Sequence, residues 1–152
     1  MDRTIQKKLS SPWSKKLVKQ TNKGWGDMDY VEHTQVTQRL IALIPDLSIT
    51  TGKVIYDEIE DTNGVRRKFV TGLQVRLEGT IDGEYVKREE WGDCDKEFFH
   101  ENPNKVKNNG HRIKECMSDG IKRAGMRLGI GLELWDDSVW INDFLNAQTE
   151  EE

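Results

Sequence analysis

"VRRKFVTGLQVRLEG", residues 65–79, decides the fold. Its side chains alternate. Val65, Arg67, Phe69, Thr71, Leu73, Val75 and Leu77 fall on one face of an extended chain, and Arg66, Lys68, Val70, Gln74, Arg76 and Glu78 on the other. Turn signals bracket the run, Asn63-Gly64 before it and Asp82-Gly83 after it. Both pairs tolerate positive φ and so suit tight hairpins. "LSITTGKVIYDEIE" (47–60), rich in β-branched residues, supplies a strand on one side, and "IDGEYVKREEW" (81–91) supplies one on the other. The three runs predict an antiparallel meander with one apolar and one largely polar face. Such a sheet needs a helix on its apolar face to be stable.

Two stretches have the period of a helix. Val36, Leu40, Leu43 and Ile44 recur at helical spacing over residues 32–44, and Pro45 stops the run. A longer helix begins near Gly110 or His111. There Ile113, Met117, Ile121, Ala124 and Leu128 form an apolar stripe, which puts Arg112, Asp119, Arg123 and Arg127 on roughly the opposite side. Asp119 precedes Arg123 by one turn and can pair with it. "LGIG" (128–131) ends this helix, and a strand end and a short helix are expected in the remainder. The predicted class is α+β: a helix, a three-stranded antiparallel β-meander, then a long basic helix packed on the sheet. A basic, loosely ordered segment (1–28) is expected before a core domain (29–146) and an acidic tail (147–152).

The chain has 152 residues, 35% apolar and 33% charged, which suits one soluble globular domain. No apolar run approaches the roughly 18 residues of a membrane span, and the first residues lack a signal peptide's apolar stretch. The expectation is a cytosolic protein with Cys94 and Cys116 reduced. The net charge of −4 conceals segregation. Residues 1–23 carry Arg3, Lys7, Lys8, Lys15, Lys16, Lys19 and Lys23 against one acid, Asp2. Residues 105–127 carry Lys105, Lys107, Arg112, Lys114, Lys122, Arg123 and Arg127 against Glu115 and Asp119. Residues 132–152 are acidic, with no base. Segregation of this kind speaks of partners rather than fold.

Most catalytic chemistries find little support. Nothing near Cys94 marks it as a nucleophile activated by His100 or His111. Asp93, Asp95, Glu97, His100 and Glu101 lack the glycine and spacing of a calcium loop and read first as a solvated acidic loop. Gly129 and Gly131 neither follow a strand nor open a helix, as a dinucleotide fingerprint would. Lys53 has no phosphate-loop glycine before it and no Ser or Thr after it. No cofactor and no enzymatic activity are expected. The crowded Lys122, Arg123 and Arg127 suit instead the sequence-independent contact that Lys and Arg make with nucleic-acid phosphates. A solvated outer helix face is the plainer reading of the same charges.

"DMDYVEHTQVTQRL" (27–40) and "KECMSDGIKRAGMRLGIG" (114–131), with a meander between them, resemble the Rad-fifty-two family of single-strand annealing proteins. The resemblance covers about residues 25–136. It implies a homo-oligomeric ring that holds single-stranded DNA in a basic groove and anneals complementary strands without ATP, in recombination and repair. Carried over position by position, Lys122 and Arg123 are the backbone-contacting pair, with Arg127 one turn on and Lys114 opening the motif. Arg112 joins them from the same basic helix. Tyr30 matches the aromatic of the first motif, and Lys19 or Lys23 is the nearest basic residue upstream. Lys105 and Lys107 stand approximately where the family has further basic loop residues. The chain's size suits a bacteriophage recombinase of the Sak type, acting in the host cytoplasm. The acidic ending reads as a solubilising tail or a mimic of single-strand-binding protein tails, so such a protein is a further candidate partner. Two alternatives stand beside annealing: a module that only protects single strands, and a metal-dependent nuclease using Asp93, Asp95 and Glu97.

Overall fold

The computed structural model describes residues 1–22, 27–60, 63–94 and 107–148. The elements run α1 (Arg3–Ser10), β1 (Lys19–Asn22), β2 (Asp27–Tyr30), α2 (His33–Leu43), β3 (Ser48–Glu60), β4 (Arg66–Ile81), β5 (Glu84–Asp93) and α3 (Asn109–Met126). A short 3-10 helix (Leu132–Leu134) and α4 (Ile141–Ala147) follow. β3, β4 and β5 form an antiparallel sheet in that order, and β1 pairs with β2 in a separate hairpin. α3 packs across β4 and β5. The architecture is the α+β arrangement that the alternation and the two helical periods predict. Among the described residues no helix is long and apolar enough to cross a membrane.

The Asp82-Gly83 turn is as its chemistry requires: both residues have positive φ, 52° and 76°, and Ile81 pairs directly with Glu84. The link between β3 and β4 is longer, because the last pair is Glu60 with Arg66. The β3–β4 ladder also carries two irregularities. Gly52 and Lys53 together face Gln74, and Thr71 is an extra residue between the Ile55–Gly72 and Tyr56–Val70 pairs. The second one breaks the simple alternation of 65–79. Val70, expected on the polar face, is fully buried beside Phe69.

The core brings Val70, Leu73, Val75 and Leu77 of β4 against Cys116, Ile121 and Ala124 of α3, with Val36 and Leu40 of α2. Full burial of a Leu or Val side chain contributes about 1.5–3 kcal/mol before entropy is counted. The segment expected to be loosely ordered contains α1 and β1. α1 is capped by Asp2, whose side chain accepts from the Thr4 N–H, and it buries Leu9 completely. Arg39 of α2 holds the end of α1, donating to the carbonyls of Leu9 and Ser11 at 3.1 and 2.7 Å.

α3 faces the sheet differently from the predicted stripe. Its buried residues are Arg112, Cys116, Gly120, Ile121, Ala124 and Gly125, whereas Ile113 is 40% exposed. Small residues let the helix backbone lie close to the strands. A Cβ on Gly92 of β5 would collide with the Cys116 carbonyl, and one on Gly120 would collide with Val75. The Cys116 thiol is buried beside that of Cys94. Its burial, reinforced by the Cys94 thiol beside it, pushes it up to about 12.

Candidate nucleic-acid interface

A groove of about 550 Å³ opens between the β1–β2 hairpin and α3. Three pieces of chain supply most of its lining. The hairpin contributes Thr21, Met28, Asp29 and Tyr30, and α3 contributes Glu115, Ser118, Asp119, Lys122 and Arg123. The third piece comes from the turn after α3. Gly129 and Gly131 adopt φ of 97° and 69°, which non-glycine residues rarely take, and they reverse the chain so that Leu134 and Trp135 return alongside the helix.

Consecutive residues of α3 each place a cation against an aromatic ring from another element. Lys122 Nζ lies 5.6 Å from the centroid of Tyr30, and Arg123 Cζ lies 5.0 Å from that of Trp135. Exposed contacts of this kind contribute about 0.5–1 kcal/mol each, too little to hold either cation in place alone. Arg123 Nε also donates to Asp119 Oδ2 at 2.9 Å, the pair expected from their spacing. The same carboxylate oxygen accepts from the Asp93 backbone N–H at 3.0 Å, so Arg123 is tied to the end of β5. Asp29, Asp93, Glu115 and Asp119 also line the groove, so its charge is mixed rather than uniformly basic.

The other predicted residues are distributed as follows. Lys19 pairs across the hairpin with Tyr30 and forms an ion pair with Glu32 at 2.9 Å. That hydrogen bond and charge raise Lys19 and lower Glu32 from their ordinary values. Lys107 is bound to Glu115 at 3.1 Å, at the groove's edge. Arg127 turns away from the groove to the sheet and meets Glu90 at 2.6 Å. Lys114 is exposed on α3 outside the groove lining. Lys23 and Lys105 lie outside the described residues, as do Asp95, Glu97, His100 and Glu101. Among the described residues no group of His, Cys, Asp and Glu is placed to hold a metal ion.

Arg112 is a correction. It was expected on the outward face of α3 and is fully buried. β5 pairs with β4 only as far as Gly72, and among the described residues no strand flanks the backbone of residues 68–70 on that side. The N-terminal turn of α3 supplies the missing partners. Asn109 accepts from the Val70 N–H at 3.0 Å and donates to the Lys68 carbonyl at 3.1 Å. Arg112 Nε donates to the Val70 carbonyl at 2.6 Å, and its Nη2 donates to Cys94 Sγ at 3.0 Å. Buried backbone groups must be paired, and Arg112 serves that need inside the protein.

Two groove residues escaped the reading of the sequence. Trp135 stands next to Arg123 only because of the glycine turn, and the spacing of Gly129 and Gly131 is the one signal that pointed to it. Trp13, whose ring lies 3.7 Å from the Arg39 guanidinium, reaches the groove from the far end of the chain. Compared with known proteins, the chain matches no family model and no curated protein.

Proposed function

We propose that the groove between the β1–β2 hairpin and α3 holds the phosphate backbone of single-stranded DNA, and that the protein anneals complementary strands without ATP. The observation that carries this reading is the convergence of Lys122 and Arg123, adjacent in sequence, on one groove beside Tyr30. Backbone contacts carry no sequence information and leave base edges free for pairing. Lys19, beside Tyr30, extends the cationic line, and its exposed pairing with Glu32 costs little to exchange for a phosphate. Annealing itself, and a homo-oligomeric ring as the working form, rest on the resemblance of residues 25–136 to the Rad-fifty-two family.

The test is fluorescence annealing of complementary oligonucleotides without nucleotide, alongside binding at several salt concentrations. Lys122→Ala and Arg123→Ala are expected to weaken binding to every sequence alike. Each should lower the salt slope by roughly 0.7 per lost phosphate contact. Unchanged slopes in both variants reject the clamp. Binding without annealing leaves a protective module, and a strict monomer in solution rejects the ring.

A further inference from the structure

We infer that Trp135 is a base-stacking residue of this groove, so that the strand is held at its phosphates by Lys122 and Arg123 and at a base by the indole. The inference rests on the reading of the groove as a strand-binding site. Among the described residues three aromatic side chains line it: Trp13, Tyr30 and Trp135. The Trp13 ring is covered by Arg39 at 3.7 Å, and Trp13 and Tyr30 are both half-buried. Trp135 has the Arg123 guanidinium 5.0 Å from its centroid, yet the residue remains 42% exposed. An open indole beside a cation that points into the same groove matches the layout of a nucleotide, whose anionic phosphate and flat base are neighbours. Trp140, still more exposed, is paired edge-to-face with Phe144 at 6.0 Å and does not line the groove. Stacking tolerates every base, because each has a π face, and it therefore keeps the sequence neutrality that phosphate contacts provide.

The experiment compares two labelled strands of equal length, one of thymidine nucleotides and one with abasic sugars throughout, by fluorescence anisotropy. Trp135→Ala is expected to weaken the thymidine strand roughly five- to hundredfold and, because Asp119 still holds Arg123 at 2.9 Å, to leave the abasic strand and the salt slope unchanged. Trp135→Phe, which keeps a π face, is expected to retain most of the affinity. Equal losses on both strands, or no loss on either, overturn the inference while leaving the clamp standing, provided Lys122→Ala still lowers the salt slope. Failure of the unaltered protein to bind either strand overturns the clamp and the stacking together.

Discussion

Gly92 of β5 and Gly120 of α3 meet with no side chain between them: a Cβ on Gly92 would stand 2.7 Å from the Gly120 amide nitrogen. The helix that carries Lys122 and Arg123 is seated on the sheet by this backbone contact. A new methyl at Gly92 meets backbone, which cannot rotate away, whereas one at Gly120 meets the Val75 side chain and regains about 1 kcal/mol of helix propensity. Gly92→Ala is therefore expected to cost about 3 kcal/mol and Gly120→Ala less. Urea unfolding of both variants checks the order, and equal stabilities would contradict the close approach.

Arg112→Met separates structural arginine from ligand arginine. It removes the charged donor from the Val70 carbonyl and from Cys94, and a loss of about 2 kcal/mol is expected. Affinity for single-stranded DNA, measured on the folded fraction, should keep its salt slope. A reduced slope would return Arg112 to the groove.

Asp119 holds Arg123 and, at the same time, adds negative charge to the groove. Asp119→Asn keeps an oxygen for the Asp93 N–H and removes the charge. If the clamp acts as proposed, binding to single strands tightens roughly two- to fivefold, the scale of an exposed ion pair. Weaker binding would mean that Asp119 matters chiefly for aiming Arg123.

Asp46 offers a test by pH. Its Oδ1 accepts from the Thr80 N–H at 2.8 Å, and this bond, with the Thr80 hydroxyl, holds its carboxyl below the ordinary value of 3.8. A depressed carboxyl stabilises the folded chain fully above the unfolded value, and that contribution is lost as pH falls through the folded one. The Tm difference between the unaltered protein and Asp46→Asn should be steady above about pH 5 and should close on acidification below 3.8. A gap that persists in strong acid would show that the bond does not depend on the charge.

Elements whose physics is local were legible in the sequence. The helix stopped by Pro45, the Asp82-Gly83 turn and the span of β4 depend on a few neighbouring residues each. The face of α3 was legible only in part: Ile121 and Ala124 of the expected stripe are buried, but Arg112, Cys116, Gly120 and Gly125 are buried with them while Ile113 is exposed. The arginine is drawn inward by β4 carbonyls left open where β5 ends, a need that no periodicity expresses. Lys122, Arg123 and Tyr30 were identified from motifs. Trp135 joins them only after the chain doubles back at Gly129 and Gly131.

The two irregularities of the β3–β4 ladder cancel. One residue is gained on β3 at Gly52–Lys53 and one on β4 at Thr71, so the pairing of Glu60 with Arg66 is in step with that of Ser48 with Glu78. The hairpin therefore carries a matched pair of insertions. Deleting Thr71 alone would make Ile55–Gly72 and Tyr56–Val70 successive pairs, so both arms would keep their partners and lose only the bulge. Val70 would then stand two residues from Leu73 along the strand and keep its inward face beside it. For this hairpin the unit of permissible length change is a single bulged residue on either strand.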